Sequence, residues 1–228
     1  ERSLTFALSR TDGDLTGSVV AQTGGAAVAG FGTADIRTID DTATLQYRNA
    51  FAATPWLDVT ATLAFTNTTV TKRNFSMAAM CGAGQSQVLC DGDFGYRTTS
   101  LRIENTADLS SGAWNNTLTV GLQFQNQNRT GTTTQGRMGF HPEGRDRKIG
   151  VYAQGEFVWQ DRLTIIPGVR LDWHRLSPDG STTLNEKTDD TAISPKIAAH
   201  YKFNDTFALF GSIAHTERFP TLDETFST

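Results

Sequence analysis

The chain has 228 residues, a formal net charge of −4 and 38% hydrophobic content, with 21 glycines, 6 prolines and 2 cysteines. That charge gives no electrostatic case for nucleic acid as a partner. No apolar run approaches the ~20 residues that a membrane helix needs, so a helical membrane protein is excluded, whereas a membrane β-barrel is not, because only alternate residues of its strands have to be apolar.

In chain order, residues 3–9 alternate in polarity and predict a strand. Residues 11–41 are Gly-rich and irregular and read as a long outer loop, with short β-like pieces at 15–22 and 33–39. A strand follows over 43–51, with Leu45, Tyr47 and Phe51 on one face, and then a tight turn over 52–55, where Pro55 leaves no ladder donor missing. The strand over 56–72 sets Leu57, Val59, Ala61, Leu63 and Phe65 against Asp58, Thr60, Thr62 and Thr66, and its threonine-rich end is expected to rise above a membrane. Residues 73–95 form a second long loop. A strand over 96–107 carries Leu101 and Ile103 in phase, a Ser/Gly turn spans 108–113, and the strand over 115–128 sets Leu118, Val120, Leu122 and Phe124 against Thr119, Gly121, Gln123 and Gln125. Residues 129–147 are the third long loop, and 148–159 a strand with Ile149, Val151, Ala153, Phe157 and Trp159 together.

Residues 161–224 hold three more strands. Ile165, Val169, Leu171 and Trp173 share one face, as do Ile193, Ile197, Ala199, Tyr201 and Phe203, and then Phe207, Leu209 and Ile213. Between them lie Arg170, Asp172, His174, Lys196, His200 and Lys202, so one face is greasy and the other charged. The connection over 160–162 is short, the Asn204-Asp205 turn has two residues, and 176–192 is long and polar. About nine strands joined by alternating short and long connections are the signature of an outer-membrane barrel. Trp56, Trp159 and Trp173 near strand ends fit an interfacial aromatic belt. A soluble β-sandwich binding module shows the same alternation and predicts a folded monomer without detergent.

Pro167-Gly168, Arg170 and Asp172, then Ser194-Pro195-Lys196, then Arg218, Pro220, Leu222 and Glu224 resemble three elements of the C-terminal half of TonB-dependent outer-membrane receptors: PG-x-R-x-D, SPK and F-R-A-P-t-l-x-E. Glu217 stands where the last element has Phe, and Phe219 where it has Ala. The resemblance implies an all-β chain, an antiparallel transmembrane β-barrel segment of a larger barrel of ~22 strands with a plugged lumen, in the bacterial outer membrane. Outer loops and lumen wall would capture a scarce nutrient, usually a metal chelate, and the TonB energy-transducing complex would act through the plug. Residues 1–228 are then expected to be part of a single barrel domain, with the plug domain and closing strand lying outside it. Outer-membrane lipid would be the surrounding partner. A passive pore or adhesin barrel explains the alternation but not the ordered motifs.

Residues 95–109 (GYRTTSLRIENTADL) resemble the Y-x-t-x-g-l-r-x-x-N-t stretch of the haem and haemoglobin receptor branch. That points to haem, or haem from a carrier such as haemoglobin, as cargo. A ferric-siderophore receptor is the alternative, and predicts loops richer in aromatics than Phe75, Phe94 and Phe140. His141, beside Met138 and Phe140, is the candidate iron ligand, since haem iron accepts imidazole or thioether sulfur. Phe140 would pack on the porphyrin. Arg137 and Arg145, with Arg129, Arg147 and Lys148, form a basic loop suited to propionates or a siderophore carboxylate. Beside these stand the plainer readings of a solvated loop histidine and ordinary surface charge. His174 and His200 are expected as lumen hydrogen-bonding groups, while the facing of His215 stays open because Phe210 breaks the alternation.

Cys81 and Cys90 flank a short polar loop and are expected to form a disulfide, since an exported protein meets an oxidising compartment. A metal site would need two further ligands, and there is no C-x-x-C redox spacing. No G-x-S-x-G elbow or zinc-spaced histidine pair occurs. Asp40 with Asp41, and Asp189 with Asp190, read as solvated loop charges, and no catalysis is expected.

Overall fold

Period-two alternation builds one continuous antiparallel sheet, described by a computed structural model over residues 2–18, 32–51, 53–82, 90–137, 141–179 and 187–226. Its strands are β1 (Arg2–Ser18), β2 (Thr33–Ala50), β3 (Asp58–Arg73), β4 (Gly92–Asp108), β5 (Trp114–Thr133), β6 (Gly136–Arg137), β7 (Gly144–Trp159), β8 (Leu163–Pro178), β9 (Thr188–Lys202) and β10 (Ala208–Ala214). Apart from β6, which pairs only with β5, each strand lies beside its neighbour in sequence, and β1 and β10 form the two ends of the sheet. A short helix, α1 (Leu222–Phe226), follows β10, and a 3-10 turn (Ala78–Met80) follows β3.

Register turns the alternation into two faces. Phe6, Leu45, Leu63, Leu101, Phe124, Ile149 and Trp173 align across seven strands. Leu4, Tyr47, Ala61, Ile103, Leu122, Val151, Leu171 and Ile193 form the next such row. Many large apolar side chains on this face are exposed, among them Leu4, Phe6, Leu63, Phe65, Val120, Ile193 and Ile213. A soluble sheet would bury such a face; here it is the lipid-facing belt of a barrel wall. Trp114 and Trp159 pair at 6.3 Å on the short-turn end of this face, with Tyr201, Phe203 and Phe207 clustered on the neighbouring hairpin.

The strands are longer than the sequence predicts. β5 has 20 residues, against the ~9–11 needed to cross a bilayer. β1 continues to Ser18 and β2 starts at Thr33, so much of the expected first loop is ladder, held by Arg37 on Asp12 and Thr16 on Asp35. β4 starts at Gly92, β5 reaches Thr133, β7 starts at Gly144, and β8 and β9 run to Pro178 and from Thr188. Asp40, Asp41, Asp189 and Asp190 therefore sit in strands, not loops. Backbone pairing needs no apolar side chain, so ladders continue where lipid contact and its sequence signal stop. β6 is a strand that the sequence did not announce.

The last hairpin also differs. Its connection runs from Phe203 to Phe207 because Asn204 Oδ1 accepts from the N–H groups of both Thr206 and Phe207. In the turn after β7, Gln160 and Asp161 both take positive φ, the backbone of a two-residue hairpin turn. Pro167 has no N–H to give, and the β7–β8 pairing lapses between Gln154–Gly168 and Phe157–Ile165.

Candidate ligand-binding wall

The face opposite the belt is polar and is ordered by cross-strand pairs. Glu104, Gly121, Tyr152, Arg170 and Ser194 align in register, and Arg102, Gln123, Gly150, Asp172 and Ala192 form the row beside them. Arg102 donates to Tyr152 Oη (3.1 Å) and Glu104 Oε2 (2.6 Å), and Tyr152 Oη donates to the same Glu104 oxygen (2.9 Å). Arg170 forks onto Asp172 at 2.7 and 2.6 Å, and its guanidinium lies 5.7 Å from the Tyr152 ring centre.

Glycines make this packing possible. A Cβ at Gly121 would meet Tyr152 at 2.3 Å, one at Gly150 would meet Arg170 at 2.2 Å, and one at Gly168 would meet Lys196 at 2.7 Å. As these long side chains lie, a Cβ at any of the three positions would push one of them aside. Beside them a cavity of about 390 Å³ is lined by Arg102, Tyr152, Gln154, Arg170, Lys196 and His215.

Toward the long-connection end, the same inner side carries most of the buried apolar residues. Ala34, Ile36 and Phe75 cluster with Val70, and Leu176 packs on Leu222. Between these clusters, His141 lies 4.7 Å from the Phe94 ring and 5.8 Å from the Tyr96 ring, both edge-on. Arg129 Nε lies 3.1 Å from His141 Nε2, and Arg129 Nη2 lies 2.5 Å from His141 Nδ1. The imidazole rests over Gly131, where a Cβ would come within 2.5 Å of it. Lys72 stands 5.0 Å over Phe94, and burial pushes its ammonium below the ordinary lysine range.

The expected basic loop is thus divided. Arg129 holds His141. Arg137 pairs with Glu143 (2.8 Å) and donates to the Asp179 carbonyl, while the other oxygen of Glu143 accepts from Gly131 N–H. Arg145 lies on the outward face and donates to Asn128 Oδ1. Met138 and Phe140 lie outside the described residues. Phe94, Tyr96 and Lys72 were not singled out from sequence as companions of His141, although Tyr96 and Lys72 share the inward parity of Thr98 and Thr66 on their strands, and that parity is readable.

The other histidines have their own partners. His174 is buried, with Nε2 2.9 Å from Asp146 Oδ1 and its ring 4.7 Å from Phe219. His200 pairs across the ladder with Thr164. His215 Nε2 sits 3.2 Å from Glu217, and its backbone N–H donates to the Pro195 carbonyl.

In the closing motif, Arg218 forks onto Glu224 at 2.8 and 2.9 Å. Thr221 N–H donates to Glu224 Oε2 and Glu224 N–H reaches Thr221 Oγ1, a capping box at the start of α1. Arg218 and the Thr221 N–H together pull the Glu224 carboxyl down to about 2. Pro220 sits half-buried between the two halves of this clasp. Cys81 and Cys90 are disulfide-bonded, and their loop is tied to the β5–β6 hairpin by Thr134 N–H donating to the Asp91 carbonyl. Among the described residues, no group of His, Cys, Asp and Glu is placed to hold a metal ion.

Comparison with known proteins identifies the wall. Residues 2–228 match the family model described as TonB dependent receptor-like, beta-barrel. No curated protein sequence matches the chain. Among solved structures, the fold is similar to the Serratia marcescens hemophore receptor HasR, solved with its hemophore HasA and heme: TM-score 0.74, 18% identity, covering 98% of this chain and 35% of that one. It is also similar to the alcaligin outer-membrane receptor FauA of Bordetella pertussis (TM-score 0.69, 13% identity, 92% and 32% covered). A third similar structure is the copper transporter OprC (TM-score 0.59, 17% identity, 86% and 34% covered). The chain spans about a third of the length of these structures.

Proposed function

The chain belongs to the TonB-dependent receptor family as part of its β-barrel, and from that premise we propose that its receptor imports haem, either free or handed over by a haem-carrying protein such as haemoglobin or a hemophore. The family places the chain in the bacterial outer membrane. In this reading residues 1–228 are barrel wall and outer hairpins, and the plug through which the TonB complex acts belongs to the remainder of the receptor.

The observation that carries the proposal is the setting of His141. An imidazole edge-on to two aromatic rings, with Arg129 on its ring nitrogens and Lys72 over the neighbouring Phe94 ring, suits a flat apolar porphyrin edged by two propionates. Arg129 now covers both ring nitrogens. Ligation of the cargo iron by His141 therefore requires Arg129 to leave the imidazole, and a propionate is the natural group for it to turn to. Met138 and Phe140, which immediately precede His141 in the sequence, are candidates for further contacts with the porphyrin. The similarity to HasR, whose structure holds heme, supports the same reading.

A ferric siderophore is the second reading. It is favoured by the inner-wall cavity, where Arg102, Arg170 and Lys196 suit an anionic chelate, and by the similarity to the alcaligin receptor.

The test is a haem titration of the full-length receptor in detergent, followed at the Soret band, with wild type beside His141→Ala. A saturable shift in wild type that is lost in the variant is expected. A shift that survives the variant moves the ligand elsewhere. No shift in either protein removes haem and leaves the siderophore reading.

A further inference from the structure

Arg97, Arg145 and Arg147 point away from the inner wall, on the face of the belt. Thr99, Asn126, Arg147 and Arg175 form the outward row next to Leu101, Phe124, Ile149 and Trp173. Asn67, Arg97, Asn128 and Arg145 form the following row, further toward the long connections. With the chain in the outer membrane, the change from apolar to polar rows marks the level at which lipid tails give way to outer-leaflet headgroups.

Other cations at this end of the outward face have carboxylate partners. Arg10 pairs with Asp41, Arg37 with Asp12, and Arg175 with Asp189. Among the described residues, Arg97 and Arg145 instead donate to the amide oxygens of Asn67 and Asn128, at 3.2 and 3.0 Å. Among the described residues, Arg147 Nε has no hydrogen-bond partner, and neither does Asn126 Oδ1 on the adjoining strand. Asp93, the carboxylate nearest in the ladder, is already forked by Arg73 at 2.8 and 2.9 Å. Beside Arg97 runs a groove of about 440 Å³, walled by Asn67, Thr69, Asp93, Asn128, Thr130 and Thr132. Its floor is Gly95, where a Cβ would come within 2.8 Å of Thr130 Oγ1.

We propose that this outward patch binds the phosphorylated saccharide headgroup of an outer-leaflet glycolipid. Arg97, Arg145 and Arg147 take the phosphates, for which guanidinium geometry is suited. The amides and hydroxyls of the groove take sugar hydroxyls, and acyl chains lie on Leu101, Phe124, Ile149 and Trp173. The position selects the source. A free anion has no tails to set against the belt, whereas a glycolipid in the leaflet meets belt and cations together. The proposal rests on the outer-membrane placement and is independent of the cargo.

The test uses the full-length receptor in detergent, titrated with bisphosphorylated lipid A, with lipid A stripped of its phosphates, and with inorganic phosphate, and read by native mass spectrometry. Surface cations near anionic lipid contribute roughly fivefold each, so R97Q/R145Q/R147Q is expected to bind the bisphosphorylated lipid about a hundredfold more weakly. The stripped lipid should bind wild type as weakly as that. The paired cations supply the control, and R10Q/R37Q is expected to bind like wild type. Asn128→Ala, which keeps the charge, should weaken binding in the same sense and serves if the triple variant fails to fold. Equal binding by triple variant and wild type overturns the proposal. So does an equal loss in R10Q/R37Q, which would reduce the effect to net charge, and so does displacement of the lipid by inorganic phosphate alone, which would make this a free-anion site.

Discussion

Glu224 shows what a motif residue does once its neighbours are in place. It accepts two bonds from Arg218 and one from Thr221, and its carboxyl is held at about 2. A carboxyl lowered on folding contributes stability that is fully present above its ordinary value and is lost progressively as pH falls from there through the folded value. Acidification from neutrality to pH 4 is therefore expected to leave the clasp closed. A carbon-13 titration of the Glu224 side chain should give a midpoint near 2, and Arg218→Ala should return it toward 4.5, the ordinary value. An unmoved midpoint in the variant would deny the pairing. The order of Arg218, Pro220 and Glu224 was legible in the sequence; Thr221 completing a capping box was equally readable there and passed unremarked. The spaces at Gly121 and Gly150 were not legible, because what fills each one comes from a neighbouring strand and only the register says which side chain that is.

At the scale of the element, the sequence marks where lipid ends and not where strands end. Alternation of apolar residues gave the middle of every long strand and the short turns. The outer ends of β1, β4, β5 and β7 carry Thr, Asn, Gly and charged residues, whose pairing leaves no hydrophobic trace. The disulfide belongs to this outer zone. With nine residues of sequence separation, the Cys81–Cys90 link constrains a short loop, worth ~2–3 kcal/mol on the chain-entropy estimate. That stabilisation is expected to be local. Reduction, or Cys81→Ser with Cys90→Ser, should speed amide exchange at Thr134, whose N–H bonds to Asp91, while exchange at Leu63 and Leu101 in the belt stays unchanged. Equal exchange at Thr134 in both states would mean that the link holds nothing there.

For the whole molecule, the assignment of faces decides everything else. The alternation alone fits a soluble sheet as well; the exposed belt and the family it matches place that face in lipid. Leu63 stands in the middle of its apolar run and is exposed. Leu63→Arg is expected to cost ~2–4 kcal/mol, the penalty for a charge on the lipid face near mid-membrane. Thr62→Arg, one residue along and inward, is expected to be tolerated. Urea unfolding in vesicles measures both, and equal stability of the two variants would contradict the face assignment. The proposed cargo site was less legible than the fold because the residues gathered at His141 come from several strands at once: Phe94 and Tyr96 on β4 and Arg129 on β5, with His141 itself beyond β6.

The neighbour-to-neighbour order of the sheet also governs its history. No pairing within the sheet waits for a distant segment: β2 to β5 and β8 to β10 each find their register on the strand laid down just before, and β7 finds its own on β5, past the two-residue β6. The entropy lost at each step is that of one hairpin, and it grows only slowly with connection length. The chain can therefore be stitched row by row from either border and unpicked the same way, and a fault in one seam stays in that seam.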